Sequence, residues 1–150
     1  MLDAIRGYRQ LAADPPAKVA ARLEALAQTL DALAMAYHQT PAVDDHSDYV
    51  LAPTGSYDEH RKSISPRFPE LGLYASIAPG PPSDLQGVVG DAIDDVVDIM
   101  LDLEAVLWRS ANVSLEDAVW HFRFGYLSHW GQHLMELRGH VHYLLRQELI

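Results

Sequence analysis

Trp120-His121-Phe122-Arg123-Phe124-Gly125-Tyr126-Leu127-Ser128-His129-Trp130-Gly131-Gln132-His133 is the stretch on which the reading of this chain turns. It is crowded with aromatic and histidine side chains, and it sits inside a longer helical pattern. Val119, Tyr126, Trp130, Leu134, Leu137, Val141, Leu144 and Leu145 form a wide apolar stripe at helical spacing, which predicts one long helix from Leu115 to Gln147. Ser114-Leu115-Glu116-Asp117 supplies its opening cap. Gly125, Gly131 and Gly139 each cost about 1 kcal/mol of helix propensity relative to alanine, so they predict close helix crossings or a kink.

The helix before it, expected from Asp84 to Arg109 behind a capping box at Ser83-Asp84-Leu85-Gln86, is amphipathic in an unusual way. Asp91, Asp94, Asp95, Asp98, Asp102 and Arg109 fall within one arc of about 100°. Ile93, Val96, Val97, Met100, Leu103 and Leu107 take the other side. Further toward the N-terminus, Val19, Leu23, Leu26, Leu30, Leu33 and Tyr37 make a heptad-like seam that predicts shallow helix packing. Asp14-Pro15 reads as its start signal, after a short helix carrying Leu2, Ile5 and Tyr8. Gln39 to Ser56 is a loop, and its Asp44, Asp45, His46 and Asp48 are a candidate metal loop or a solvated one. Ser56-Tyr57-Asp58-Glu59 opens a short helix to Ile64, and Pro79-Gly80-Pro81-Pro82 breaks any regular element. Phe68, Leu71, Leu73 and Tyr74 are expected to pin the turn between them to the core. The fold expected is a single all-α domain over 1–150, an antiparallel bundle of about four main helices plus one or two short ones.

The net charge is -10, from 21 acids against 11 Lys and Arg, which argues against a nucleic-acid or anionic-membrane surface. There is no cysteine, which excludes disulfides, thiolate zinc sites and cysteine nucleophiles. No apolar run reaches the ~18 residues of a membrane span, and the first residues do not resemble a secretory leader, so a cytoplasmic location is expected.

Three constellations offer chemistry. Asp91, Asp95 and Asp98 stand at helical spacings suited to a shared hard cation, magnesium or manganese; the competing reading is a solvated face, although such a face usually mixes in lysines and this one has none. His129 and His133 are four apart, with His140 seven further on, a workable platform for zinc; the competing reading is packing against neighbouring helices. Trp130 stands where a zinc peptidase has its glutamate, so that motif is absent. Glu104 and Arg123 both fall on apolar faces, which predicts a buried ion pair, or an Arg123 anion pocket lined by Trp108, Trp120, Phe124 and Trp130.

Gly90-Asp91-Ala92-Ile93-Asp94-Asp95-Val96, Trp108-Arg109, Trp120 to Tyr126, and His129-Trp130-Gly131-Gln132-His133 together resemble a bacterial family, domain of unknown function five thousand and sixty-three. Arg67-Phe68-Pro69-Glu70-Leu71-Gly72 and Tyr74 extend the likeness, which runs from Leu30 to Tyr143. The resemblance implies a bacterial cytosolic protein and brings no catalytic residue with it. Asp91-x-x-Asp94 and Asp95-x-x-Asp98 are also similar in spacing to the magnesium-binding acid pairs of all-α nucleotide pyrophosphatases, but aspartates replace glutamates and the second acidic helix is missing. The leading expectation is a helical module that associates with itself or with another protein, through Val19 to Tyr37 or the aromatic helix. The alternative is a divalent-metal-dependent hydrolase acting on a phosphorylated small molecule.

Overall fold

A computed structural model describes residues 1–44, 50–77 and 79–148. Among them are six α-helices and one β-hairpin: α1 (Leu2–Ala13), α2 (Val19–Gln39), α3 (Tyr57–Ile64), β1 (Leu73–Ile77), β2 (Gly87–Asp91), α4 (Ala92–Asn112), α5 (Leu115–Ser128) and α6 (Trp130–Glu148). The all-helical bundle is as expected, but it has six helices. No helix among the described residues is long and apolar enough to cross a membrane.

The core forms where the periodic stripes meet. Ile5, Tyr8 and Ala12 of α1 pack on Leu23, Leu26, Leu30 and Leu33 of α2, all buried. Ile93, Val96, Val97, Met100 and Leu103 of α4, with Trp130, Leu134, Leu137 and Val141 of α6, complete it. Four residues of the α2 seam, Leu23, Leu26, Leu30 and Leu33, are thus consumed inside the molecule, while Met35, elsewhere on the helix, is exposed. Buried Arg22 of α2 is held by both oxygens of Glu70 (2.6 and 2.8 Å) and by the carbonyls of Pro16 and Ala17, which joins two chain turns with a bidentate pair.

Three local expectations are corrected. Asp14-Pro15 does not open α2, which begins at Val19 after Lys18. The helix expected from Asp84 begins at Ala92, because the chain first makes the antiparallel hairpin that pairs Leu73 with Asp91 and Ile77 with Gly87. Its cap is Asp91, whose carboxylate accepts from the amides of Ile93 (3.0 Å) and Asp94 (3.3 Å). Lastly, the helix expected to run unbroken from Leu115 is two helices, parted at His129 (φ -152°). The glycines explain the break: a Cβ on Gly131 would lie 2.0 Å from the Tyr126 carbonyl oxygen, and one on Gly125 would lie 2.8 Å from the Trp130 ring. The chain turns there so tightly that side chains are excluded.

Phe68 and Leu71 are buried as expected, whereas Leu73 is 69% exposed. Val50 and Leu51 are exposed in the loop before α3, where the Val50 carbonyl accepts from Arg109. Asp44 is exposed, and the rest of the acidic loop, Asp45, His46 and Asp48, lies outside the described residues.

Candidate metal centre

Helix α4 places Asp94, Asp95, Asp98 and Asp102 along the line where it meets α3, the hairpin and the start of α6. Asp95 is only 4% exposed, whereas the Asp94 and Asp102 side chains keep 41% and 33% of their exposure, so the face is partly covered. The α5–α6 break brings His129 and His133 against it. His133 Nδ1 lies 2.8 Å from Asp95 Oδ1, and His129 Nδ1 lies 2.8 Å from Asp102 Oδ2. His133 Nε2 is 3.5 Å from Asp98 Oδ2. One oxygen of Asp98 and one ring nitrogen from each histidine all lie within 4.8 Å of one another. The two imidazoles sit edge to face, with centroids 4.9 Å apart.

The outer groups of this ridge are anchored too. Tyr74 of β1 donates its hydroxyl to Asp95 Oδ2 (2.5 Å), and its ring stacks on His140 (4.6 Å between centroids). Gly90 makes room for that ring, because a Cβ there would come within 2.3 Å of it. Tyr57 of α3 donates to Asp94, and Arg61 donates to Asp91 (2.5 Å). His140 Nε2 lies 2.6 Å from the Leu71 carbonyl oxygen, so the third histidine of the expected row braces the hairpin and stands outside the cluster.

Electrostatics follow from these contacts. The Asp95 hydrogen bond raises the His133 pKa above its usual value, against the opposing effect of burial. Burial, then the neighbouring Asp94 charge, raises the Asp98 carboxyl above its ordinary value. Burial and the bond to Asp95 hold Tyr74 firmly in its protonated form.

Of the acids singled out by spacing, Asp98 is the one grouped with both histidines. Asp95 stands behind His133, and Asp91 is occupied as the α4 cap and as the partner of Arg61. The expected Glu104–Arg123 pair does not form. Glu104 lies 2.9 Å from His60 Nε2, while Arg123 donates to the carbonyls of Tyr37 (2.9 Å) and Thr40 (2.5 Å) and lies over the Tyr37 ring. The last carbonyls of α2 satisfy the guanidinium without a carboxylate, aided by the helix dipole. The aromatic pocket around Arg123 is also not assembled. Trp130 is a core residue bonded to the Phe122 carbonyl, Trp120 stacks on exposed Phe124, and Trp108 is half-buried on α4. Besides Arg22 with Glu70, the buried arginine that meets a carboxylate is Arg109, with Asp117 (2.9 Å). Sequence reading missed Tyr57 and Tyr74 as parts of the ridge; a hairpin that doubles back over α4 leaves no periodic signal that would place them there.

Comparison with known proteins agrees with the fold. The family described as "Domain of unknown function (DUF5063)" matches residues 17–147. Among solved structures, the crystal structure of protein BF1032 from Bacteroides fragilis is similar, with a TM-score of 0.74 at 13% identity, over 96% of this chain and 91% of that one. No curated protein matches the chain.

Proposed function

The chain belongs to the DUF5063 family, and from the geometry of its acid–histidine ridge we propose that it binds one divalent transition-metal ion on Asp98, His129 and His133. The observation that carries this reading is the engagement of both Nδ1 atoms by carboxylates, Asp95 for His133 and Asp102 for His129. A carboxylate at Nδ1 fixes the proton there, leaves the Nε2 lone pair for an ion and strengthens it as a donor. Two imidazoles and one carboxylate suit zinc or a similar ion better than magnesium, which takes oxygen ligands. Bonds of ~2.1 Å need the three donor atoms to draw together slightly, a side-chain adjustment.

Three protein ligands leave positions open for water or substrate, the pattern of catalytic and not purely structural sites. This supports the metal-dependent hydrolase reading, in which the ion lowers the pKa of a bound water or polarises a phosphoryl oxygen.

The first test is calorimetric and cobalt-spectroscopic titration of the metal-free protein. One zinc or cobalt per chain is expected. Binding should vanish in Asp98→Asn and His133→Ala, and weaken about 10- to 100-fold in Asp95→Asn. Absence of stoichiometric binding in the wild type would end the proposal. Binding without turnover in a phosphatase and pyrophosphatase screen would retain the metal site and remove the hydrolase.

Self-association is supported by a separate observation. Large apolar side chains stay exposed outside the core, among them Phe124 and Leu127 on α5 and Leu73, Ile77 and Val89 on the hairpin.

A further inference from the structure

The hairpin is the part of this molecule least explained by its own fold. Its outer face is formed by Leu73, Ala75 and Ile77 of β1, with Val89 opposite Ala75, and these four side chains are exposed. Beside it, β1 and α6 border a groove of about 840 Å³ that also takes in Met135 and Tyr143, both more than half exposed. A two-stranded hairpin is marginal in water by itself, and among the described residues the sheet has two strands, so one edge of each has no strand beside it there. Natural edge strands are blunted by lysine, proline or inward charge. β1, Leu-Tyr-Ala-Ser-Ile, has none of these.

Charge says which partner fits. The chain carries a net charge of -10, so two copies repel over most of their surfaces. Between Leu71 and Gly90, however, Asp84 is the only charged side chain. A basic partner would find little acid to grip here beyond Asp84 and Glu136 at the wall of the groove, whereas a second acidic copy finds a largely neutral and apolar stretch on which approach is little penalised. A strand that meets its own copy across a two-fold axis pairs antiparallel, which satisfies the open β1 edge of each copy.

We infer that a second copy of this chain docks on the hairpin, β1 against β1 across a two-fold axis, with Leu73, Ile77, Met135 and Tyr143 enclosed between the copies. This rests on the self-association reading and names its surface. Dimerisation would also steady Tyr74, the β1 residue that bonds to Asp95 behind the metal ligands.

The chain has no cysteine, which makes the test clean. Sedimentation equilibrium should show a wild-type dimer. Ile77→Lys should raise the dimer dissociation constant by about tenfold or more while leaving the helical circular dichroism unchanged. Ala75→Cys should give a covalent dimer under mild oxidation, and Leu127→Cys on α5 should not. A monomeric wild type across the micromolar range overturns both this surface and self-association. A wild-type dimer that survives Ile77→Lys but is lost in Leu127→Lys, or that cross-links through Leu127→Cys, overturns the hairpin surface and leaves self-association standing on α5.

Discussion

Asp95 and Asp98 are three residues apart on α4, yet their surroundings separate their roles. Asp95 is buried and shared between His133 and Tyr74; Asp98 keeps more contact with solvent and carries a raised pKa. The same division shows at Asp91, which the aspartate spacing alone would group with them. Burial raises its pKa, but the Arg61 pair and the amides of Asp94 and Ile93 outweigh that and hold it below the usual carboxylate range. The unfolded chain therefore takes up a proton more readily at this site than the folded one. The resulting stabilisation is present above the ordinary aspartate pKa and is lost as pH falls through the lowered folded value. Asp91→Ala should cost about 1 kcal/mol at neutral pH through loss of the cap. Asp91→Asn keeps a capping oxygen but no charge, and its urea-unfolding free energy should fall less steeply than wild type toward acid pH. An identical acid limb in the two proteins would show that the Arg61 pair contributes nothing.

At the scale of elements, the α5–α6 junction sets the position of the histidines. An unbroken helix would continue His129 along one face with His133 and His140; the break at His129 turns it instead toward Asp102. Gly131→Ala has no space for its methyl group against the Tyr126 carbonyl, so the junction must open. A cost of about 1–3 kcal/mol in unfolding free energy is expected, as for other overpacked sites, with weaker zinc binding. Gly7, in α1, has nothing within 4 Å of its Cβ position, and Gly7→Ala should instead stabilise by roughly 0.5–1 kcal/mol. Thermal and chemical unfolding of the two variants side by side checks both signs. A Gly131→Ala protein as stable and as metal-competent as wild type would mean that the junction is set by something other than this contact.

Across the whole molecule, the proposed ligands come from α4, the α5–α6 junction and α6, so an ion would tie together the halves of the bundle. Anything that binds only the folded state stabilises it by mass action, by about 2.7 kcal/mol when the free ligand is at a hundred times its dissociation constant. Zinc in that excess should raise the melting temperature, and a chelator should restore the original value. Asp98→Asn should melt at the same temperature with or without zinc. A zinc-dependent shift that persists in this variant would assign the stabilisation to other ligands. The family relationship and the similar Bacteroides fragilis structure bear on this scale alone, because both concern the course of the chain.

Periodicity by itself determined the helical class, the α2 seam, the apolar side of α4 and the core stripe of α6, since burial of a repeating apolar face depends only on local spacing. Residue type and spacing also named Asp98, His129 and His133, though in two separate constellations and beside Asp91 and Asp95; Gly125 and Gly131 foretold the kink, whereas Gly139, with nothing within 4 Å of its Cβ position, marks no close crossing. What spacing could not supply was partner choice between segments distant in sequence. Glu104 and Arg123 both lie on apolar faces, but one turned to His60 and the other to the end of α2. The hairpin stayed hidden because its strands are short and separated by a proline-rich connection, and a pairing between residues 73–77 and 87–91 leaves no signal within either strand. Which carboxylate is grouped with both histidines and which stands behind one of them was decided by tertiary packing alone, because that depends on the angle at which α6 leaves α5 and crosses α4.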